Sequence, residues 1–549
     1  MQSSTEIKHY KILLLLLLLI NATGLFIDIL EPDGALYASI AKVIVKQNNW
    51  LNLYAYGSDW LDKPHLPFWL SAISFKIFGI NAFEYKLPSF LCFIVAIYYT
   101  YKLACSFYSK QVAQLATLIF GTSLHVILCN FDVRAEIYLA AFTTAAIFYF
   151  NKAQEDKWLK PIVLAAFFSA LAIMTKGIFV LIIIGSGFVI YWLFTKQYKE
   201  FFKLKWYLFL CLTGIFILPE LYALYVQFDL HPEKVVFGRT NVSGLKFFFW
   251  DSQFGRFFNT GPIQGSGDIF FFVHTTLWAF LPWSLYLFII GFKKIKNIRQ
   301  YKASKTLIVY GSACIGFLMF SISKFQLPHY VVVLFPLFSI ITANYLLQVI
   351  NRVELKFAVI WQNVVFVTLV ALIILITVFY RFDYPILILI ITLIVLIFFF
   401  FVWKEISLQL IVIKSILFSL LFAIFFNGFF YPSLMQYQAG MQAGKWQKKN
   451  LPNTIIPMYN CNEFSFDFYG NTPIGLENNL PKILQQKTNT FLFTSKQVLN
   501  RLNRDSFNVK PIQWFPYFHI TELNFEFINK KSRAATLDSF VIINCQKKY

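Results

Sequence analysis

Between Asp28 and Pro67 the chain reads DILEPDGALYASIAKVIVKQNNWLNLYAYGSDWLDKPHLP, directly after a first apolar run. Asp28, Glu31, Asp33, Asp59 and Asp62 fall within it, in a chain of which only 14% of residues are charged. Carboxylates at a membrane boundary are costly to desolvate, so a dense set there points to chemistry. Asp33 and Tyr37 lie one helical turn apart behind Pro32, a pair suited to a helix start. Asp33 either caps that helix, a common use of Asp, or serves as a base. LDKPHLPFWL (61–70) sets a carboxylate, an ammonium and a rigid proline side by side. Lys63 there either snorkels toward lipid headgroups or forms the cation of a phosphate site. FDVRAEIYLA (131–140) adds Asp132, Arg134 and Glu136. A solvated salt bridge would explain the first two; Glu136 falls where an apolar run begins, which argues for more than solvation.

These groups need a scaffold, and the composition says which kind. The 549 residues are 58% hydrophobic and 20% aromatic, with 66 Phe. Soluble domains are nearer half apolar and about a quarter charged. Apolar runs of bilayer length recur at 11–27, 85–102, 112–129, 135–151, 161–175, 177–195, 206–226, 269–291, 306–322, 329–350, 358–380, 385–403 and 408–431. The expected fold class is therefore an α-helical polytopic membrane protein with about thirteen transmembrane helices. Residues 66–80, apolar but short, read as an interfacial helix. Ala35, Ile40, Val43 and Ile44 suggest a face of the Asp33 helix lying on the membrane.

The net charge of +21 does not mark a nucleic-acid partner, because its Lys and Arg gather in alternate short loops. The richest of these spans 293–305, and others fall at 352–356 and 404–414. Calling that set cytoplasmic puts the N-terminus inside, the C-terminus outside, and the long loops 28–84 and 227–268 outside. The turns at 130–134, 176 and 323–328 then share that outer face. The first run, Ile12–Ile20, follows Lys8 and Lys11 as a signal peptide would, but no small-residue cleavage site follows, so it reads as a retained span.

The chain divides at about residue 431. Residues 1–431 form the membrane domain, and 432–549 read as a small extracytoplasmic α/β domain. Its β-like runs are TIIPMYN (454–460), FSFDFYG (464–470), TFLFTS (490–495) and SFVIINC (539–545). Cys461 and Cys545 end two of these runs. Adjacent parallel strands would bring them together, and an oxidising compartment would permit a disulfide. The other five cysteines show no metal spacing and read as packing residues.

Taken in order, these segments resemble the GT-C glycosyltransferases that use polyprenyl-phosphate-linked sugars, such as protein O-mannosyltransferases and the lipid A aminoarabinose transferases. EPDGALY (31–37) is similar to that family's acidic pair before a Tyr-bearing helix, and LDKP (61–64) to its acidic-Lys-Pro element. NAFEYKLPSFL (81–91), VRAEIYL (133–139), IMTKGIF (173–179), FLPWS (280–284) and KFQLPHYVVVLFPLFSI (324–340) follow in family order. Two departures stand out. Gly34 follows Asp33 where the family has an adjacent acid, and Glu136 replaces an Asp.

The resemblance implies a GT-C fold and transfer of a sugar from a polyprenyl-phosphate donor, undecaprenyl phosphate in a bacterium, on the extracytoplasmic face. The acceptor would be a lipid A-like glycolipid, a protein or a glycan. Asp33 and Glu136 are then the catalytic carboxylates. Glu31, Tyr37, Lys63, Asp132, Arg134, Arg256, Lys324, His329 and Tyr330 bind substrate, with Arg239 a further candidate cation. The leaving group is already a phosphate and needs cations more than a general acid. The resemblance also implies a divalent metal ion held by Asp62 and His274. The chain is expected to act as a monomer. A transporter or lipid flippase is the alternative reading, but such proteins place ionisable groups near the bilayer midplane, often in repeated halves, and no repeat occurs here.

Overall fold

The computed structural model describes residues 7–155, 157–296, 304–348, 352–401, 405–473, 490–502 and 507–547. Residues 297–303 and 404, parts of the basic loops named above, lie outside the described residues, as do 349–351 and 402–403. The protein is mainly helical, opening with α1 (Tyr10–Ala22), α2 (Asp33–Gln47), α3 (Leu66–Phe78) and α4 (Ala82–Phe107). There follow α5 (Lys110–Thr122), α6 (Leu124–Asp132), α7 (Ala135–Lys152), α8 (Leu159–Lys176) and α9 (Val180–Phe194). Local chemistry starts them: Asn81 accepts the N–H groups of Phe83 and Glu84 at the head of α4, and Ser109 caps α5.

Among the described residues five helices are long and apolar enough to cross a membrane, or seven if two bent pairs each count as one span. This is an integral membrane protein. Several expected spans are broken. Run 112–129 bends by 56° between α5 and α6, at Ser123. The freed N–H of Leu124 donates to the Leu281 carbonyl (2.9 Å). Trp283 Nε1 reaches Thr122 Oγ1 at 2.9 Å beside it. A break inside an apolar bundle persists only where such partners satisfy the backbone. Run 206–226 bends by 41° near Pro219, whose ring removes a helical donor. Run 269–291 divides into Phe271–Ala279 and Ser284–Lys296 around Pro282.

The segment 28–84 is not an open loop. A hairpin of β1 (Tyr54–Ala55) and β2 (Ser58–Asp59) links α2 to α3. Leu36, Ile40 and Ile44 of α2 pack with Leu53, Phe68 and Ala72. The face of α2 expected to lie on the membrane is therefore covered by protein: Ala35, Ile40, Val43 and Ile44 are all buried.

After residue 431 the chain forms helices Ala439–Asn450 and Phe464–Tyr469, then an antiparallel sheet in the order β3 (Thr490–Ser495), β5 (Asp538–Lys547), β4 (Phe507–Tyr517). Two expected strands are corrected. FSFDFYG is the helix Phe464–Tyr469, and TIIPMYN contributes only a bridge from Met458 to Phe493. Lys42 of α2 reaches across to this helix's C-terminal end. Its ammonium donates to the carbonyls of Phe468 and Gly470 (3.0 Å each) and of Asp467. A cation there satisfies carbonyls that the ended helix leaves open.

Cys461 and Cys545 are free thiols. Cys461 packs with Phe493 and Ile542, whereas Cys545 packs with Leu492, Val541 and Ile543. Alternate strand residues face opposite ways, so the two sulfurs occupy opposite faces of the sheet. The protein should therefore migrate identically in gels with and without reductant. A mobility shift on reduction that both Cys→Ser variants abolish would contradict this arrangement.

Candidate active site

The polar residues gather where helices end. Asp33 opens α2 behind Pro32, and its side-chain hydrogen bond among the described residues does not go to that helix. It accepts instead from Arg134 Nη1 (2.6 Å), while Arg134 Nη2 holds Asp132 at 2.5 Å. Arg134 sits in the turn from α6 to α7, which Val133 makes in the left-handed region (φ 49°). A β-branched residue is a rare choice there, and such backbone outliers concentrate at functional sites. Asp132 is half-buried behind Arg134, whereas the Asp33 side chain stays 43% exposed and open to a ligand.

Two further clusters face this one. Asp62 pairs with Lys63 (2.8 Å) and with Arg256, which also reaches the Asp62 carbonyl at 3.2 Å. Burial pushes the Asp62 carboxyl up, but Lys63 and Arg256 outweigh it and hold it below the usual carboxylate range. Glu136, 2% exposed at the start of α7, pairs with Lys176 at the end of α8, and His329 Nε2 lies 4.0 Å from it. The Lys176 ammonium lies 3.3 Å from the centre of the Tyr330 ring. A cation so held is fixed in place by its carboxylate and by the ring quadrupole.

Asp33, Tyr37, Asp62, Lys63, Arg134, Glu136, Lys176, His329 and Tyr330 line one cavity of about 210 Å³. A second cavity of about 110 Å³ adjoins it, walled mainly by apolar groups such as Phe179, Val180, Ile183, Phe247, Phe248 and Val333. Asp62, Lys63, Lys176, Phe325 and Tyr330 border both, and Arg256 faces the second. The arrangement puts an accessible carboxylate on one side of a polar chamber and three cations where that chamber meets an apolar one. It is suited to activating a hydroxyl next to a phosphate on a hydrocarbon tail.

Other expected site residues lie elsewhere. Glu31 meets Glu463 instead of the chamber. Lys324 is exposed, its main-chain N–H bonded to Phe257, and lines neither cavity. Arg239 is exposed in a bridge to Val236. His274 is exposed against Phe271 and lines neither cavity. With Asp62 engaged by two cations, Asp62 and His274 do not fit a metal ion. Among the described residues no group of three or more His, Cys, Asp or Glu side chains is arranged to hold one.

Sequence reasoning missed Lys176. The match of IMTKGIF to a family element was its signal, but the residue was read only as a loop charge. Gly177 after it has φ +114°, and a Cβ there would fall 2.0 Å from Gln253 Nε2, which donates to the Lys176 carbonyl. Gly177→Ala should destabilise the protein by more than about 1 kcal/mol. It should also lower transfer by displacing Gln253. An Ala variant with unchanged melting and turnover would show this turn to be tolerant.

The helical domain and its site resemble those of lipid-linked-sugar glycosyltransferases in both sequence and fold. Residues 62–222 match the family model described as dolichyl-phosphate-mannose-protein mannosyltransferase. The undecaprenyl phosphate-alpha-4-amino-4-deoxy-L-arabinose arabinosyl transferase of Enterobacter sp. (strain 638) is 23% identical over 372 residues, 66% of this chain and 64% of that protein. An uncharacterized protein of Aquifex aeolicus is 29% identical over 350 residues, 62% of this chain and 64% of that one. Each match thus spans just under two thirds of the relative's own length. ArnT from Cupriavidus metallidurans bound to undecaprenyl phosphate shares the fold, with a TM-score of 0.73 over 97% of this chain and 96% of that one at 15% identity.

Proposed function

We propose that the protein transfers a sugar from a polyprenyl-phosphate donor, undecaprenyl phosphate in a bacterium, to an acceptor at the extracytoplasmic membrane face. The acceptor is a lipid A-like glycolipid, with a protein or another glycan as the wider class. The observation that carries this reading is the junction of the two cavities, where Lys63, Arg256 and Lys176 stand between a carboxylate-bearing chamber and an apolar one. The relatives' names support the same donor chemistry.

In this mechanism the acceptor oxygen attacks the anomeric carbon and the bond from that carbon to the phosphate oxygen breaks. A hydroxyl acceptor gives its proton to Asp33, which Arg134 orients through the bond at 2.6 Å. The polyprenyl phosphate leaves as an anion that Lys63, Arg256 and Lys176 stabilise. Glu136 positions Lys176 and so acts through it. Tyr37, His329 and Tyr330 wall the sugar, and the apolar cavity takes the first part of the hydrocarbon chain. The chain acts as a monomer with thirteen spans, N-terminus inside, and residues 432–549 outside. The acids lie at helix ends and not at helix centres, which favours this reading over a transporter.

Mass spectrometry of envelope lipids and glycoproteins from a deletion strain beside its parent tests the proposal. The deletion strain should lack one sugar modification, and purified protein should release polyprenyl phosphate from the matching donor. Identical envelopes, together with no release from any carrier-linked sugar, would overturn it.

A further inference from the structure

The bent run 206–226 carries a single acid, Glu220, in the stretch LPELYAL (218–224). A carboxylate inside such a run is costly to bury unless fixed partners meet it. Glu220 is fully buried, and its partners belong to the turn that follows Lys63. Oε2 accepts the His65 backbone N–H at 3.0 Å, and Oε1 meets His65 Nδ1 at 2.9 Å. The other ring nitrogen, Nε2, lies 3.1 Å from the Leu51 carbonyl, which only accepts, so Nε2 carries a hydrogen. His65 stands at the head of α3 without capping it, and the Glu220 carboxylate supplies an acceptor there from another helix. Farther along the same span, the buried Gln227 holds both main-chain groups of Leu53 (2.9 and 2.8 Å) and the Asp59 side chain at 2.9 Å.

Both clamps grip the stretch that presents Asp62 and Lys63. Only Pro64 separates Lys63 from the held N–H, and its ring fixes φ, so a shift at His65 passes on to Lys63. Lys63 is a flexible stem whose ammonium, 2.8 Å from Asp62, borders both cavities. Glu220 does not reach substrate, because its side chain is 0% exposed and both its oxygens are taken by His65. We propose that Glu220 and His65 are a positioning pair that sets the reach of Lys63 toward the donor phosphate. This rests on the proposed transfer reaction, which gives Lys63 its phosphate.

The test uses purified full-length protein in detergent, with Glu220→Leu, Glu220→Gln and His65→Phe compared with the parent at a temperature where each is folded. Leu leaves the His65 N–H and ring unpaired, and should lower kcat/KM for the donor by about 10- to 100-fold, the scale of a misplacement of roughly 1 Å. Gln offers an oxygen to that N–H and an amide hydrogen to Nδ1, and should recover most of the rate. His65→Phe keeps the packing on Trp69 and should fall between them. A general scaffold defect would add to the loss in Lys63→Met, whereas positioning through Lys63 would not. The Glu220→Leu/Lys63→Met double variant should therefore be within about threefold of Lys63→Met alone. Labelling of Lys63 by an amine reagent, read by peptide mass spectrometry, needs no transfer. It should rise at least ~3-fold in Glu220→Leu and hold at the parent rate in Glu220→Gln, while Lys445 labels equally in all. Additive losses, or unchanged Lys63 labelling in folded Glu220→Leu and His65→Phe, would overturn the pair's role. Faster Lys63 labelling in a protein that transfers no sugar would sink the transfer reading alone and sustain the pair's hold on Lys63. If Glu220→Leu does not fold, His65→Phe carries the same cycle and the same labelling.

Discussion

Asp33→Asn should reduce sugar transfer by about 10²- to 10⁴-fold, the range that a positioned proton acceptor supplies, while the protein folds and expresses as before. Asn keeps the size of the side chain and an oxygen for Arg134. For Asp33 the capping role competes less here, because among the described residues its side chain bonds to Arg134 and to no N–H of α2. Its 43% exposure also means that little buried packing is disturbed. The loss should appear in the single-turnover rate and not in the donor's KM, since the proposed reading holds the donor phosphate on cations elsewhere in the chamber. Release of polyprenyl phosphate by purified protein, with the unfolding midpoint measured alongside, checks both halves. Parent-like turnover in the Asn variant would reduce Asp33 to an ion-pair partner of Arg134.

The second large effect concerns Lys63. Lys63→Met keeps the aliphatic stem and removes the charge, and Asp62 retains Arg256. The fold should therefore survive. Losing one donor to the departing phosphate should cost about 10²- to 10³-fold in kcat/KM, the scale seen when one preorganised group is removed from developing negative charge. Here kcat should fall and the donor KM should rise, because the phosphate carries charge both before and after the bond breaks. Lys63→Arg should restore part of the rate, since the charge returns with a different shape. A Met variant that loses stability but not transfer would place Lys63 in the scaffold alone.

Much of this could be read from the chain because membrane helices write themselves in long apolar runs, and because charges at their ends are conspicuous. EPDGALY, LDKP and VRAEIYL all deliver residues to one chamber, as their shared sidedness suggested. What failed depended on partners distant in sequence. Nothing near Ser123 announces a 56° bend, since the Leu281 carbonyl that satisfies the freed N–H lies far along the chain. FSFDFYG alternates like a strand, yet among the described residues no strand pairs with it, and Lys42 closes its helical end from hundreds of residues away. Lys324 and Lys176 both flank apolar runs as lone lysines. Only the packing of Glu136 and Tyr330 selects Lys176 for the chamber.

The grip of Lys42 bears on how such an enzyme can be recombined. One ammonium on the helix that starts with Asp33 gathers the last carbonyls of a helix in the C-terminal unit. The helix that starts with Asp33, the proposed base, and the unit behind it are thus registered to each other to within a hydrogen bond. A chimaera that exchanges residues 432–549 alone would set a foreign helix end against Lys42 and tilt the Asp33 helix it was meant to leave untouched. The smallest portable module is therefore discontinuous: α2 travels with the C-terminal unit, and the rest of the helical bundle stays.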